Sequence, residues 1–503
     1  MKRHILLAVL FAIAVNMHPC TNFIAGKSAT VDGSTLISYA ADSYSLFGFL
    51  HYSPAADHAA GSWRDIYDWD SGKYLGRIPQ VSHTYNVVGN MNECQLTIGE
   101  TTYGGRTELV DTTAIMDYGS LIYVALERCR TAREAIDCIV TLANTYGYAS
   151  EGETFSIGDP NEVWVMDLIG KGPSEKGIVW VAKRVPDDCI CAHANQARIT
   201  TIDFRDKQNC LYAPDVVSFA RKMGYFSGKD KDFSFCDAYN PLDFSGAYVC
   251  EARVWSFFRR LADDMDRHLP YVLGQNNDHM PLFVRPNRKV SAQDFKNLMR
   301  DQYEDTPLDI TQGPAAGPWE SKLRYGSLGF KLDSVQYWWP RPTATQQTGW
   351  SFVAQMRSYV PDYVGGIFWF GVDDAATNLY VPMYSVIDRV PHCFAEGNGD
   401  LLHYSATSAF WMCNRVTNAC YRMYDQMAPV VRGRADAFEL SQMEKVKEND
   451  ARMMKVYGKS TRHPGSRRAI RRIRKALTKY SVGTAQKQFE DWVALEEMLT
   501  VKF

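Results

Sequence analysis

From Cys20 onward, apolar and polar positions alternate with the period of a β-strand. Thr21-Asn22-Phe23-Ile24-Ala25-Gly26 leads to Val31-Asp32-Gly33-Ser34, and Ser34-Thr35-Leu36-Ile37-Ser38-Tyr39 follows. Asp-Gly between two such runs signals a hairpin. The pattern puts Cys20 at the first residue of one strand and Asp42 just past the end of the next. Residues 87–93 and 96–99 read as another strand pair. Helical patterns follow at about 116–130 and 132–146, and Thr131-Ala132-Arg133-Glu134 is a capping box opening the second. Strand patterns return at 155–157, 163–167, 178–183 and 189–194, with a turn at Asp159-Pro160-Asn161. Further helices are expected near 214–223, 250–262 and 292–303, and strands at 348–359 and 364–370. About the last 90 residues read as helical. Strands and helices come in blocks, which predicts a layered α+β fold with antiparallel sheets rather than a βαβ series.

The first residues break this pattern. Lys2, Arg3 and His4 precede an apolar run of 11 residues, Ile5 to Val15. That run is too short to span a bilayer and suits the apolar region of a signal peptide. No later stretch is apolar for long enough to be a membrane helix. The expectation is an exported chain, periplasmic or extracellular, without a transmembrane span. Composition adds little, because 46% hydrophobic and 22% charged residues are ordinary for a globular chain. A formal net charge of −2 supplies no field that would draw in nucleic acid. Export makes some pairing expected among the 12 cysteines. Without Cys20 an odd 11 remain, so at least one other thiol stays free. No cysteine pair has zinc spacing with a histidine nearby, so no metal is expected. Arg462 to Lys479 carries eight Lys or Arg and no acid. It reads as a solvated helix face, with contact to an anionic polymer or lipid as the alternative.

Cys20 raises the sharper question. A cysteine at a processed N-terminus has an α-amine with an ordinary pKa near ~7.7–8. That amine can take the thiol proton, so one residue holds both nucleophile and base. Such a residue also needs oxyanion donors and a charged group to orient the amine. Two plainer readings remain, a lipoprotein anchor and one half of a disulfide. Pro19 and Met17 fit lipoprotein processing poorly. They also fit signal peptidase poorly, whereas Ala12-Ile13-Ala14 fits it well. Cleavage there would leave a five-residue propeptide, Val15 to Pro19, for Cys20 to remove autocatalytically.

The stretch CTNFIAGKSATVDGSTLISYAADS (20–43) resembles the start of bacterial dipeptidases of the N-terminal nucleophile hydrolase superfamily. The superfamily also holds penicillin V acylases and bile salt hydrolases. Similar stretches follow in the same order: VVGNMNECQLTIGETTYGG (87–105), AHANQARIT (192–200), YEDTPLDIT (303–311), GGIFWFGVDDAATNLYVPMY (365–384) and SATSAFWMCNRVTN (405–418). The resemblance implies a four-layer αββα sandwich and amide hydrolysis without cofactor. It implies a leader over 1–19, a catalytic domain over 20–410 and a helical extension over 411–503 packed on it. It also implies Cys20 as nucleophile, Asp42 as the carboxylate holding the α-amine, Asn195 as oxyanion donor, and Arg253 near the nucleophile. Taken singly, Asp42 reads as a turn residue, Asn195 as a loop or cap residue and Arg253 as a packing arginine. Relatives often carry arginine where this chain has Tyr39, so thiol activation here leans on the amine or on Arg253. Near the position where acylase relatives place an oxyanion helper stands Thr102. A dipeptide is a zwitterion, and Glu100, Asp373 and Asp374 are candidates for the anion facing its ammonium. The partner expected is a small peptide, and homo-oligomerisation stays open. The competing readings are an acylase of other small amides, such as N-acyl amino acids or bile conjugates, and a non-catalytic exported protein that binds peptides or glycans.

Overall fold

The computed structural model describes residues 20–324, 329–458 and 466–503. The expected leader and propeptide, and residues 462–465 of the basic segment, lie outside the described residues. The principal strands are β1 (Thr21–Ala25), β2 (Thr35–Asp42), β3 (Thr97–Gly104), β4 (Gly152–Gly158), β5 (Val163–Gly170), β6 (Ile178–Arg184), β7 (Ile190–His193), β8 (Thr348–Met356), β9 (Ile367–Val372) and β10 (Val381–Tyr384). The principal helices are α1 (Tyr118–Arg128), α2 (Ala132–Tyr146), α3 (Ala252–Arg259), α4 (Ala292–Leu298), α5 (Ala409–Cys420), α6 (Tyr424–Gly458) and α7 (Arg467–Lys502).

One antiparallel sheet runs β7-β1-β2-β8-β9-β10. The other is built on β6-β5-β4-β3, continued past β6 by Cys210–Tyr212 and past β3 by the short strands Met91–Asn92, Val87–Val88 and Tyr52–Ser53. The sheets pack face to face through β1, β2, β3 and β4. Helices α1 and α2 cover the second sheet, while α4, α5, α6 and α7 cover the first. This is the helix–sheet–sheet–helix layering expected. Every residue of the first sheet's strands is buried, because each strand is covered on both faces. Its polar side chains must therefore find partners inside. His193 does so by linking the sheets, with Nδ1 at 2.7 Å from Thr101 Oγ1 and Nε2 at 2.6 Å from Ser156 Oγ.

The turn expected at Asp32-Gly33 is present. Gly33 has φ +78°, and Asp32 accepts from the Ser34 backbone and hydroxyl. Several local readings shift. Asp42 is the last residue of β2 rather than the one after it. Thr131 caps α2 by accepting from the Glu134 N–H, but the Glu134 carboxylate turns to the Arg130 N–H, so the box is one-sided. The 250–262 pattern begins as a π-helical turn, Gly246–Glu251, before α3. The 292–303 pattern stops at Leu298, and the chain beyond it turns, with Tyr303 and Asp305 at φ +64° and +61°. The cysteine expectation is corrected: all twelve thiols are free. Cys129 and Cys138 come close enough for their thiols to hydrogen-bond with each other. The expected boundary at 410 falls in the first turn of α5, which packs on β9, α6 and α7. Among the described residues, no helix is long and apolar enough to cross a membrane.

Candidate active site

Strand register assembles the site. β1 lies between β7 and β2, with Thr21 opposite Ala40 and Asn22 opposite His193. One residue further along that register, Cys20 reaches the sheet end, flanked by Ala41-Asp42 on one side and Ala194-Asn195 on the other. Asn195 leaves β7 at φ +60°, a left-handed conformation that asparagine tolerates better than most residues. From helix α3, fully buried Arg253 closes the group. Its Nη1 donates to the Cys20 carbonyl and to Thr21 Oγ1 (2.9 Å). Its Nη2 donates to the Ala194 carbonyl (3.1 Å) and to Asn195 Oδ1 (3.0 Å). That last bond fixes which way the Asn195 amide points, and Asn195 Nδ2 donates to the Thr102 carbonyl at 2.6 Å. Burial, then the nearby Arg341 charge, lowers the Arg253 guanidinium to about 10, where it is still a cation at neutral pH.

Asp42 is wholly buried and is held from two sides. Thr348, opposite it on β8, donates from Oγ1 at 2.6 Å. Arg341, equally buried, forms an ion pair with Asp42 Oδ2. Nothing in the sequence around Arg341 marks it, because it is 299 residues from Asp42 and lies in a loop.

On the inner face of β2, the Tyr39 hydroxyl lies 3.6 Å from Cys20 Sγ and donates to Glu100 Oε1 on β3. Glu100 Oε1 is itself 3.7 Å from Cys20 Sγ. Burial first, then the charges of Glu100 and Asp42, push the Cys20 thiol well above its usual value; the Asp42 backbone N–H and the Tyr39 hydroxyl pull weakly the other way. Burial likewise keeps Tyr39 protonated, so it acts as a donor. Thr102 Oγ1 does not face the thiol. It donates to Glu153 Oε2 on β4 at 2.9 Å. Glu153 also escaped the sequence reading; a signal existed only in its pairing opposite Thr102.

A cavity of about 620 Å³ opens beside this group, lined by Thr102, Asn195, Tyr118 and Cys250 among others. Asp373 and Asp374 do not line it. Asp373 accepts from Asn414 (2.9 Å) and Thr417, and Asp374 accepts from Tyr421 (2.5 Å) and the Ala376 N–H (2.9 Å). They tie the end of β9 to the C-terminal helical region. Among the described residues, Cys236, Asp237 and His279 have ligand atoms within 4.8 Å of one another. None of the three belongs to the group around Cys20.

Known proteins resemble this chain over most of its length. Residues 51–436 match the profile of Peptidase family C69, a span that takes in Glu100, Glu153, Asn195, Arg253 and Arg341. Dipeptidase A of Lactobacillus helveticus is 25% identical over 471 residues, covering 88% of this chain and 90% of its own. A probable dipeptidase of Latilactobacillus sakei is 24% identical over 402 residues, covering 76% and 77%. Another from Salmonella dublin is 24% identical over 404 residues, covering 76% and 85%. The match spans most of the chain, so this protein belongs to peptidase family C69, within the N-terminal nucleophile superfamily.

Proposed function

We propose that the chain is an exported dipeptidase that cleaves dipeptide amide bonds through an acyl-thioester on Cys20. The observation that carries this is the meeting of Cys20, Asp42, Asn195 and Arg253 at one sheet end beside a cavity. Removal of residues 1–19 gives Cys20 a free α-amine. The amine takes the thiol proton, and Sγ attacks the carbonyl carbon. Electrons of the C=O move onto oxygen, where Asn195 is the assigned donor. The oxyanion collapses, and the leaving nitrogen departs with the proton from the α-amine. Water then hydrolyses the thioester and restores the thiol. Asp42 holds the α-ammonium, and Arg253 anchors the Cys20 main chain so that the thiol and amine keep their places. The high thiol pKa before processing fits a precursor kept inactive until the amine is freed.

The similarity to proteins named dipeptidase favours this reading over an acylase of other amides. Hydrolysis of a dipeptide panel by the processed protein, beside Cys20→Ser, tests it. The expectation is a loss of about 1,000-fold or more in kcat/KM for the variant. Activity retained by Cys20→Ser would overturn the mechanism. N-terminal sequencing of Cys20→Ala after export bears on processing: a variant that still begins at residue 20 would show that another protease makes the cut.

A further inference from the structure

Glu100 and Glu153 form a second feature beside the nucleophile. They sit on neighbouring strands β3 and β4, and each is nearly or wholly buried, at 2% and 0% exposure. Buried carboxylates normally collect donors. Here each collects few. Glu100 Oε1 has the Tyr39 hydroxyl and, at 3.7 Å, the Cys20 thiol, and Glu153 Oε2 has the Thr102 hydroxyl. Glu100 Oε2 and Glu153 Oε1 receive no donor from the described residues. The two carboxyls lie on paired neighbouring strands and act on each other, and two such groups in a dry site do not both ionise. Burial is the largest cause raising both acids, and the Glu100 charge adds to it at Glu153. A pair that holds one proton carries a single negative charge.

That charge lies where one substrate group must go. In a dipeptide, the scissile carbonyl carbon is two bonds, about 2.5 Å, from the α-ammonium nitrogen. Attack needs the sulfur about 3–3.5 Å from that carbon. The ammonium therefore lies within about 6 Å of Sγ, and Glu100 Oε1 lies 3.7 Å from it. The pair also adjoins the cavity, because Thr102 and Tyr118 are in its wall and the Tyr118 phenol feels the charges of Glu100, Asp70 and Glu153. Among the described residues, the wall adds Asp68, Asp70, Glu108, Glu151 and Asp243 against one cation, Arg106. Such a lining draws positive groups inward.

We propose that Glu100 and Glu153 together form the binding site for the substrate's free α-ammonium, and so restrict the enzyme to peptides with an unblocked N-terminus. This rests on Cys20 being the nucleophile. Glu100 contacts the ammonium, and Glu153 keeps the pair at one charge and holds Glu100 in place. An N-acyl amide offers no cation, and it would leave the pair's charge unmatched in a dry site.

The test compares kcat/KM for a dipeptide with that for its N-acetyl derivative and its desamino analogue. Wild type is expected to favour the free amine by about 100-fold or more, since a buried polar site rejects a ligand that leaves it unpaired. Glu100→Gln and Glu153→Gln are each expected to lower that ratio by about tenfold or more. A purely structural role would depress all three substrates together and leave the ratio unchanged, which would overturn the proposal. The wild-type comparison stands without either variant folding: similar rates on blocked and free substrates would also overturn it. Loss of dipeptide hydrolysis in Cys20→Ser, with an unchanged ratio in the glutamine variants, would reject the ammonium site while leaving the nucleophile in place. A Cys20→Ser enzyme as active as wild type would instead remove the reading beneath it.

Discussion

Gly99 on β3 shows how closely the two sheets approach at the site. A Cβ there would sit 2.3 Å from Asn22 Oδ1. Asn22, on β1, reaches past it to donate from Nδ2 to the Glu100 carbonyl. This contact fixes Glu100 relative to β1, the strand next to Cys20. Gly99→Ala is expected to cost about 1–3 kcal/mol, the usual range for overpacking, and to lower dipeptide turnover. Adding Asn22→Ala is expected to recover much of the stability, because the obstacle is removed, but not the turnover. Denaturation midpoints of the two single variants and the double variant check this; additive losses would show that the two residues do not clash.

Strand ends gather the residues of the proposed catalytic group. β1, β2 and β7 deliver Cys20, Asp42 and Asn195 because their registers stop at the same edge. The strand alternation made that much legible: Cys20 and Asp42 were expected at strand ends, and both are there within one residue. What it could not show is the support for Asp42. Arg341 is fully buried against it, so Arg341→Ala leaves a carboxylate in a dry site without its cation. Breaking a buried pair in this way is expected to cost about 3–5 kcal/mol. A shift of the urea midpoint corresponding to less than about 1 kcal/mol would show that Thr348 alone is enough to hold Asp42.

The C-terminal helices α5, α6 and α7 pack on the outer face of the first sheet. Asp373 stands at this junction with φ +67°. Burial, partly offset by Asn414 and Thr417, pushes its carboxyl up to about 6 from an ordinary 3.8. The folded chain therefore holds a proton there that the unfolded chain releases. This group's contribution is present below about pH 4 and is lost as pH rises through about 6. The change is roughly 3 kcal/mol, at about 1.4 kcal/mol per pKa unit. Unfolding at pH 4 and pH 7 should therefore differ between wild type and Asp373→Asn by about that amount, with the variant relatively more stable at pH 7. The same pH dependence in both proteins would mean that Asp373 ionises normally.

The sequence by itself determined a layered α+β fold with antiparallel sheets and the place of Cys20, the proposed nucleophile, beside a strand end. Period-two runs, an Asp-Gly turn and blocks of helix are local signals, and local backbone preference decides them. It also named Tyr39, because relatives often carry arginine at that position, and Glu100, as a candidate anion for a substrate ammonium. Tertiary structure decided which polar groups meet. It turned Asp373 and Asp374 into ties for the C-terminal helices, set Thr102 against Glu153, and brought Arg341 to Asp42 from 299 residues away. The reason is physical: a buried charge is tolerable only beside its partner, and sheet pairing and helix packing choose that partner with no regard to its distance along the chain.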